Sequence, residues 1–572
     1  MYGPSLANRL RVVFVCLLWF SAVPDATLAA TNPGDQELIR DRQNRLLEEQ
    51  QRRLEELREL PGKTPTPDAP EVAGDTRCFA IRQVDLQGAE QLSAAQQARL
   101  LAPYNGQCLG MAQLNQLLQV ITDHYLQQGF VTSRAYLPQQ HLGSGILRVQ
   151  VVEGRLEQVN LAPGSQLSQR EIAMAFPGHE GQLLNLRQVE QLLDQLNRLP
   201  SNRATMELMP GEAVGGSQVL LSNQPQQPWR AALARHNNGQ KSTGEQQWNL
   251  GLGWDSPLGL ADQLNLRRSE DAVSDHQRRS ASNFLNYNLP WGWWNFSYSY
   301  SDSEYRTRGQ GAGFDFKYSG ESQTHQGLVE RVIHRDAQGK TALSAGLSHL
   351  RTVSYIEDSP LRNGTQRITE AQFGFSHGRV LGSAFGNLEL GMQQGLGALD
   401  AMSDKHAAST TPTARYRKYT ATLSYLQPFK LWGEDWAFSS LATGQRSEDL
   451  LYNSQRISLT GQSAVRGYKE QFLSGDSGGY WRNDLRWTRQ VDSTWLRPWL
   501  QQYGLGVAYD QGVVRHDAHS AGQNGRVSSN ALELFGRGPH MGASLTFAHS
   551  LKRPMALSES EAPIYFRLEF FL

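Results

Sequence analysis

Apolar and polar residues alternate at every second position through most of the chain from about Trp229 to Leu572. Trp248, Leu250, Leu252 and Trp254 share one phase, with Asn249, Gly251 and Gly253 in the other. Trp294, Phe296, Tyr298 and Tyr300 repeat the pattern, and so do Met541, Ala543, Leu545 and Phe547. Successive side chains of a strand point to opposite faces, so each run predicts a β-strand with one apolar face. The final residues keep the same phase through Ile564, Phe566, Leu568, Phe570 and Leu572. At about 10 residues per strand plus uneven loops, this region of roughly 340 residues accommodates about sixteen strands of a transmembrane β-barrel. A soluble β-sandwich array or propeller gives no reason for a terminal alternating strand rich in aromatics.

Upstream the period changes. Residues 77–154 predict a strand at 79–86 and a short helix at 93–104. An amphipathic helix marked by Leu114, Leu117, Leu118, Ile121 and Tyr125 follows, then strands at 136–137 and 146–152. Residues 155–224 repeat the plan, with a strand at 156–161, helices at 169–175 and 186–199, and strands at 206–209 and 219–221. Two units of β-α-α-β-β order therefore precede the alternating region. Before them, residues 34–60 read as one charged helix whose Ile39, Leu46, Leu47, Leu54 and Leu57 give only a thin apolar stripe. By itself that stripe describes a solvated or short coiled-coil helix. Pro61, Pro65, Pro67 and Pro70 then predict an extended linker over 61–76.

Composition narrows the class. The 572 residues include 55 basic and 55 acidic ones, so there is no electrostatic argument for nucleic acid. Mean hydropathy is −0.51, and beyond the N-terminus no apolar run is long enough for a transmembrane helix. A β-barrel escapes that test, because its lipid-facing and lumen-facing residues alternate. The 53 glycines, 13 Trp, 19 Tyr and 20 Phe suit short strands, turns and interfacial aromatic girdles. Arg9 and Arg11, an apolar run over 12–20 and small residues ending at Ala29 and Ala30 predict a secretory signal peptide over 1–30. Of three cysteines, Cys16 leaves with it. Cys78 and Cys108 remain in an oxidising compartment, which predicts a disulfide worth roughly 3–4 kcal/mol on the chain-entropy model. Zinc needs more ligands than their neighbourhood offers.

Residues 459–479 interrupt the alternation with a Gly/Ser-rich segment that contains Val465, Arg466, Gly467 and Tyr468. Downstream, Tyr503, Leu505, Val507 and Tyr509 take the outward phase, while Gly504, Gly506, Ala508 and Asp510 take the inward one, with Gly512 following. An inward carboxylate can pair with the arginine of an inward-folded loop. These residues resemble the VRGY/F loop motif and the [F/G]xDxG strand motif of the outer-membrane protein-assembly and secretion superfamily, with Ala508 where the family usually has Phe or Gly. The two α+β units resemble POTRA domains. The ending, with Phe566, Leu568, Phe570 and Leu572, resembles the C-terminal β-signal of outer-membrane proteins, which more often finishes in Phe. Together the features resemble the transporters of two-partner secretion (TpsB proteins), over nearly the whole mature chain.

The resemblance implies a barrel over 229–572 in the outer membrane, periplasmic POTRA domains at 77–154 and 155–224, and a helix at 34–60 that plugs the lumen. It implies export of a large β-helical TpsA-type exoprotein (a haemolysin, an adhesin or a contact-dependent inhibition toxin), captured by its N-terminal secretion domain. Arg466 would then sit at a loop tip paired with Asp510. Outer-membrane lipid, the barrel-assembly machinery and periplasmic chaperones are the further partners it implies. It implies no cofactor and no enzymatic activity. The alternative within the superfamily is an insertase that assembles other barrels, which typically carries more POTRA domains and lacks the leading helix.

One motif points elsewhere. Gly475-Asp476-Ser477-Gly478-Gly479 matches the serine-protease signature GDSGG. That chemistry needs a histidine base beside the serine and a carboxylate to orient it. None of the 14 histidines stands in such a context, and a polar turn entering a strand explains the residues better.

Overall fold

The computed structural model describes residues 33–60, 78–275, 277–310, 314–361, 364–404, 411–515 and 524–572. The expected signal peptide and linker lie outside the described residues.

Among the described residues, sixteen antiparallel strands from Trp229–His236 to Ile564–Phe571 close into a barrel, with the two-residue strand Ser359–Pro360 extending one hairpin. Closure sets Arg567 opposite His236 and Phe571 opposite Ala232. The Leu572 N–H adds a bond to the Ala231 carbonyl at 2.9 Å. The expected phases hold. Leu250, Leu252, Trp254, Tyr503, Leu505, Val507, Tyr509, Leu568 and Phe570 are exposed on the outer wall, whereas Asp510 is 0% exposed. An apolar outside and polar inside is what a bilayer demands of a closed barrel.

The first α+β unit contains β1 (Cys78–Ile81), β2 (Gln83–Gln87), α2 (Ala94–Leu101), β3 (Gln107–Gly110), α3 (Met111–Gln127), β4 (Arg134–Tyr136) and β5 (Ile146–Val152). The single strand expected over 79–86 is two, because β1 pairs with β3 while β2 runs parallel to β5. The chain changes partners at Arg82, whose N–H donates to the Gly145 carbonyl at 2.7 Å. Cys78 and Cys108 are joined across the β1–β3 pair, with Cα atoms 5.3 Å apart. Ser93 caps α2 in a reciprocal bond with Gln96, fixing the start of that helix. Leu114, Leu117, Ile121 and Tyr125 of α3 bury against Leu147, Val149 and Val151 of β5.

The second unit contains β6 (Arg155–Leu161), α4 (Gln169–Ala175), α5 (Leu186–Asn197), β7 (Ala204–Pro210) and β8 (Gly216–Asn223), with sheet order β6-β8-β7. One face of α5 supplies Val189, Leu192 and Leu196 to the core. Its polar face is buried too, against the barrel. Gln191 and Gln195 both donate to the Gly292 carbonyl, at 3.2 and 3.0 Å, and Arg198 Nη2 donates to the Ala261 carbonyl at 2.6 Å. Gly292 has φ +56°, and a Cβ there would lie 3.0 Å from Pro177 Cα, so the turn needs glycine for both conformation and space. Burial pushes the Glu190 and Asp194 carboxyls above the ordinary range, while Arg335 draws Glu190 back and Lys340, followed by Arg335, draws Asp194 back.

Helix α1 (Pro33–Arg58) has 26 residues, a length of roughly 39 Å, and lies in the lumen. Glu37 accepts from Thr243 and Ser280 on one side. Gln50 meets Asn387 and Ser424 on another, at 3.1 and 2.8 Å. Arg53 pairs with Glu330 at 2.9 Å and Glu389 at 2.7 Å. The thin apolar stripe finds small partners, such as Leu57 against Gly378. Glu37, Gln50 and Arg53 thus meet a polar wall, while Gln51, Arg52, Glu55 and Arg58 stay exposed.

Candidate functional site

Strand Glu434–Ser447 leaves the wall at the end away from the α+β units, and strand Ser477–Gln490 re-enters it there. The connection folds back into the barrel as a ribbon. Ile457 and Ser458 pair with Gly475 and Ser474, and the Gly461 N–H donates to the Tyr468 carbonyl at 2.9 Å. Leu459, Ala464, Val465, Tyr468 and Leu473 bury against Tyr480, Val514 and Val527 of the wall. The loop thus brings a small apolar core of its own into the lumen.

Arg466 is 6% exposed. Its Nε and Nη2 donate to the two oxygens of Asp510 at 2.8 and 2.6 Å, and its backbone N–H donates to the same carboxylate at 3.1 Å. Nη1 reaches Asp484 at 2.5 Å. Ser529 completes the Asp510 shell at 3.2 Å, and Arg482 stands directly opposite Asp510 in the strand register. Two guanidinium groups and two carboxylates therefore neutralise one another, and the planar fork of Arg466 engages both acids at once.

The backbone beside Arg466 is held as closely. A Cβ on Gly467 would lie 2.5 Å from Ser529 Cβ and 2.8 Å from the Ser550 nitrogen, so the loop touches the wall only because this residue is glycine. The Tyr468 hydroxyl donates to the Lys552 carbonyl at 2.6 Å, and the Tyr565 hydroxyl donates to the Arg466 carbonyl at 2.9 Å. Glu561 accepts the N–H groups of Lys469, Glu470 and Gln471 at 2.7, 3.0 and 2.9 Å. Gly512 lies under the loop, where a Cβ would be 3.1 Å from a Leu459 methyl. Sequence reasoning brought Arg466 and Asp510 together but missed Asp484, Ser529, Glu561 and Tyr565. Asp484 shares the inward phase of Tyr480 and Arg482, and that phase was the signal available. Tyr565 lies in the inward phase of the C-terminal strand, whose Leu568 and Phe570 face outward.

Loop and helix also meet. Gln43 Nε2 donates to the Ser458 carbonyl at 2.6 Å, and Ser463 bonds Asn44. Between α1 and the wall remains a cavity of about 320 Å³, lined in part by Arg42, Glu49, Glu330, Glu389 and Thr422. The GDSGG residues sit at a strand start. The Ser477 hydroxyl donates to the Ser447 carbonyl at 2.9 Å and accepts its N–H at 3.0 Å. Asp476 accepts from Arg456 Nε and the Leu451 N–H, both at 3.0 Å.

Residues 215–536 match the family described as haemolysin secretion/activation protein ShlB/FhaC/HecB. Residues 79–154 match the ShlB-type POTRA domain and 155–210 a POTRA domain. The chain is 33% identical to the outer membrane transporter CdiB of Escherichia coli O6:K15:H31 (strain 536 / UPEC), covering 99% of this chain and 96% of that protein. It is 29% identical to the hemolysin transporter protein HpmB of Proteus mirabilis, with 92% of each covered. Among solved structures it is similar to CdiB from Escherichia coli, with TM-score 0.89, 31% identity, and 96% of this chain and 100% of that one covered.

Proposed function

This chain belongs to the haemolysin secretion/activation family, and from that premise we propose that it exports one large β-helical exoprotein of the TpsA type through its own lumen. It is an outer-membrane transporter with periplasmic POTRA domains, and its relatives are transporters rather than enzymes. The observation that carries the export route is the nature of the lumen's contents. A whole helix and a loop fill it, and the helix is held by ion pairs and amide bonds that water can replace when it leaves.

In this reading the POTRA domains capture the exoprotein's unfolded N-terminal secretion domain by β-augmentation. β4 and β7 are edge strands of their sheets, where an extended segment can add. Helix α1 is the plug, and Arg466 with Asp484 and Asp510 is the latch of the loop. Both yield as the exoprotein passes in extended form, and folding outside supplies direction without ATP. The Cys78–Cys108 disulfide stiffens the first POTRA domain. The strand ending at Leu572 is the assembly signal read by the barrel-assembly machinery during biogenesis. Deleting the chain tests the reading. Loss of the cognate exoprotein from the medium, with other barrels unaffected, is the expected result. Normal secretion with a general loss of other outer-membrane barrels would replace export with insertase activity.

A further inference from the structure

Strands Asp315–Arg335 and Gly339–Ile356 form a hairpin whose tip faces the second POTRA domain, and Arg335 and Lys340 are cross-strand partners at that tip. The two cations converge on Asp194 and differ in their other partner. Arg335, 6% exposed, is gripped by α5: its Nη2 lies 3.1 Å from Asp194 and its Nε 3.7 Å from Glu190. Lys340 Nζ lies 3.6 Å from Glu56 of the plug helix and 3.8 Å from Asp194. One hairpin tip is therefore held by a POTRA helix through an arginine, and holds the plug through a lysine.

We propose that this tip is the lever between cargo capture and plug release, with Lys340 the positioning residue that keeps the end of α1 in place. The proposal rests on the export reading above. Glu56 and Asp194 are like charges on two separate elements, and Lys340 is the cation they share. A shift of α5 pulls the tip through Arg335 and carries the ammonium away from Glu56. Movement of the first POTRA domain reaches the same point, because α5 starts on that domain. The Leu186 N–H donates to the Gly129 carbonyl at 2.8 Å, and Asn185 Nδ2 donates to the Gln128 carbonyl at 3.2 Å. A lysine suits the post, since a compact charge on a flexible stem can change partners where a forked arginine is committed.

The test is a double-mutant cycle on the purified full chain in planar bilayers without cargo, reading the fraction of time the pore conducts. Lys340→Gln is expected to raise that fraction about fivefold, the scale of one partly exposed ion pair. Arg335→Gln touches nothing on α1, yet is expected to raise it similarly, and the double variant no further. In the Lys340→Gln background, Glu56→Gln is expected to restore part of the closed time by removing the repulsion from Asp194. If Arg335→Gln yields no folded barrel, Glu190→Gln takes its place in the cycle. An unchanged pore in the Arg335 variant, or effects that simply add, would overturn the lever. Export of the cognate exoprotein by the wild type, followed in parallel, separates that outcome from failure of the export reading itself.

Discussion

Replacing Arg466 with alanine removes three side-chain hydrogen bonds at once, two to Asp510 and one to Asp484. Asp510 would be left 0% exposed, with the backbone N–H of residue 466, Ser529 and the opposing Arg482 as its remaining polar company. Breaking one partner out of a buried ion pair costs about 3–5 kcal/mol, against under about 1 kcal/mol for charges already solvated. At about 1.4 kcal/mol per decade, the docked loop should lose two to more than three orders of magnitude in population. Lys469, buried beside the tip, reports on it. Trypsin added to outer membranes should cut after Lys469 in Arg466→Ala and spare it in the wild type, with the barrel still heat-modifiable. Secretion of the cognate exoprotein should fall in parallel. Arg466→Lys should be intermediate, because an ammonium cannot make the two-pronged contact. Equal protection and equal secretion in Arg466→Ala would refute the buried-pair reasoning and leave two solvated charges in a wet pore.

Three further outcomes are expected. Gly467→Ala should behave as Arg466→Ala does, because its Cβ would lie 2.5 Å from Ser529 Cβ; native loop protection would show that the wall gives way. Ser477→Ala loses hydrogen bonds to one backbone unit, so it should cost about 1 kcal/mol at most and leave secretion intact; a hydrolytic activity lost with it would restore the protease reading. Replacing Cys78 and Cys108 with serine opens a loop of sequence separation 30. The first POTRA domain should lose about 3–4 kcal/mol against denaturant, and an unchanged unfolding midpoint would show that the sheet alone holds it.

The strands of the barrel were legible because the bilayer imposes a strict period of two. That period also put Asp510 on the inner wall before any partner was known. The place of α1 was legible only through the family resemblance, since a thin apolar stripe looks the same whether the polar face meets water or the polar wall of a pore. The same ambiguity hid the seat of the second POTRA domain: Glu190, Gln191 and Gln195 are polar positions of a helix, yet each is under 9% exposed. β3 was missed because Gln107–Gly110 is four residues long and is a strand only through its distant partner β1. Asp484 shows the opposite failure, a residue in correct phase whose significance depended on where a loop from elsewhere would land.

Passage of the exoprotein through this barrel's own lumen can be read at two adjacent residues. Thr422 is 5% exposed and lines the cavity beside α1, whereas Leu423 is 46% exposed on the outer wall. A photo-crosslinking residue placed at each position during active secretion should capture the exoprotein from 422 and not from 423. Secretion that continues with no exoprotein captured from 422 would contradict passage through the lumen.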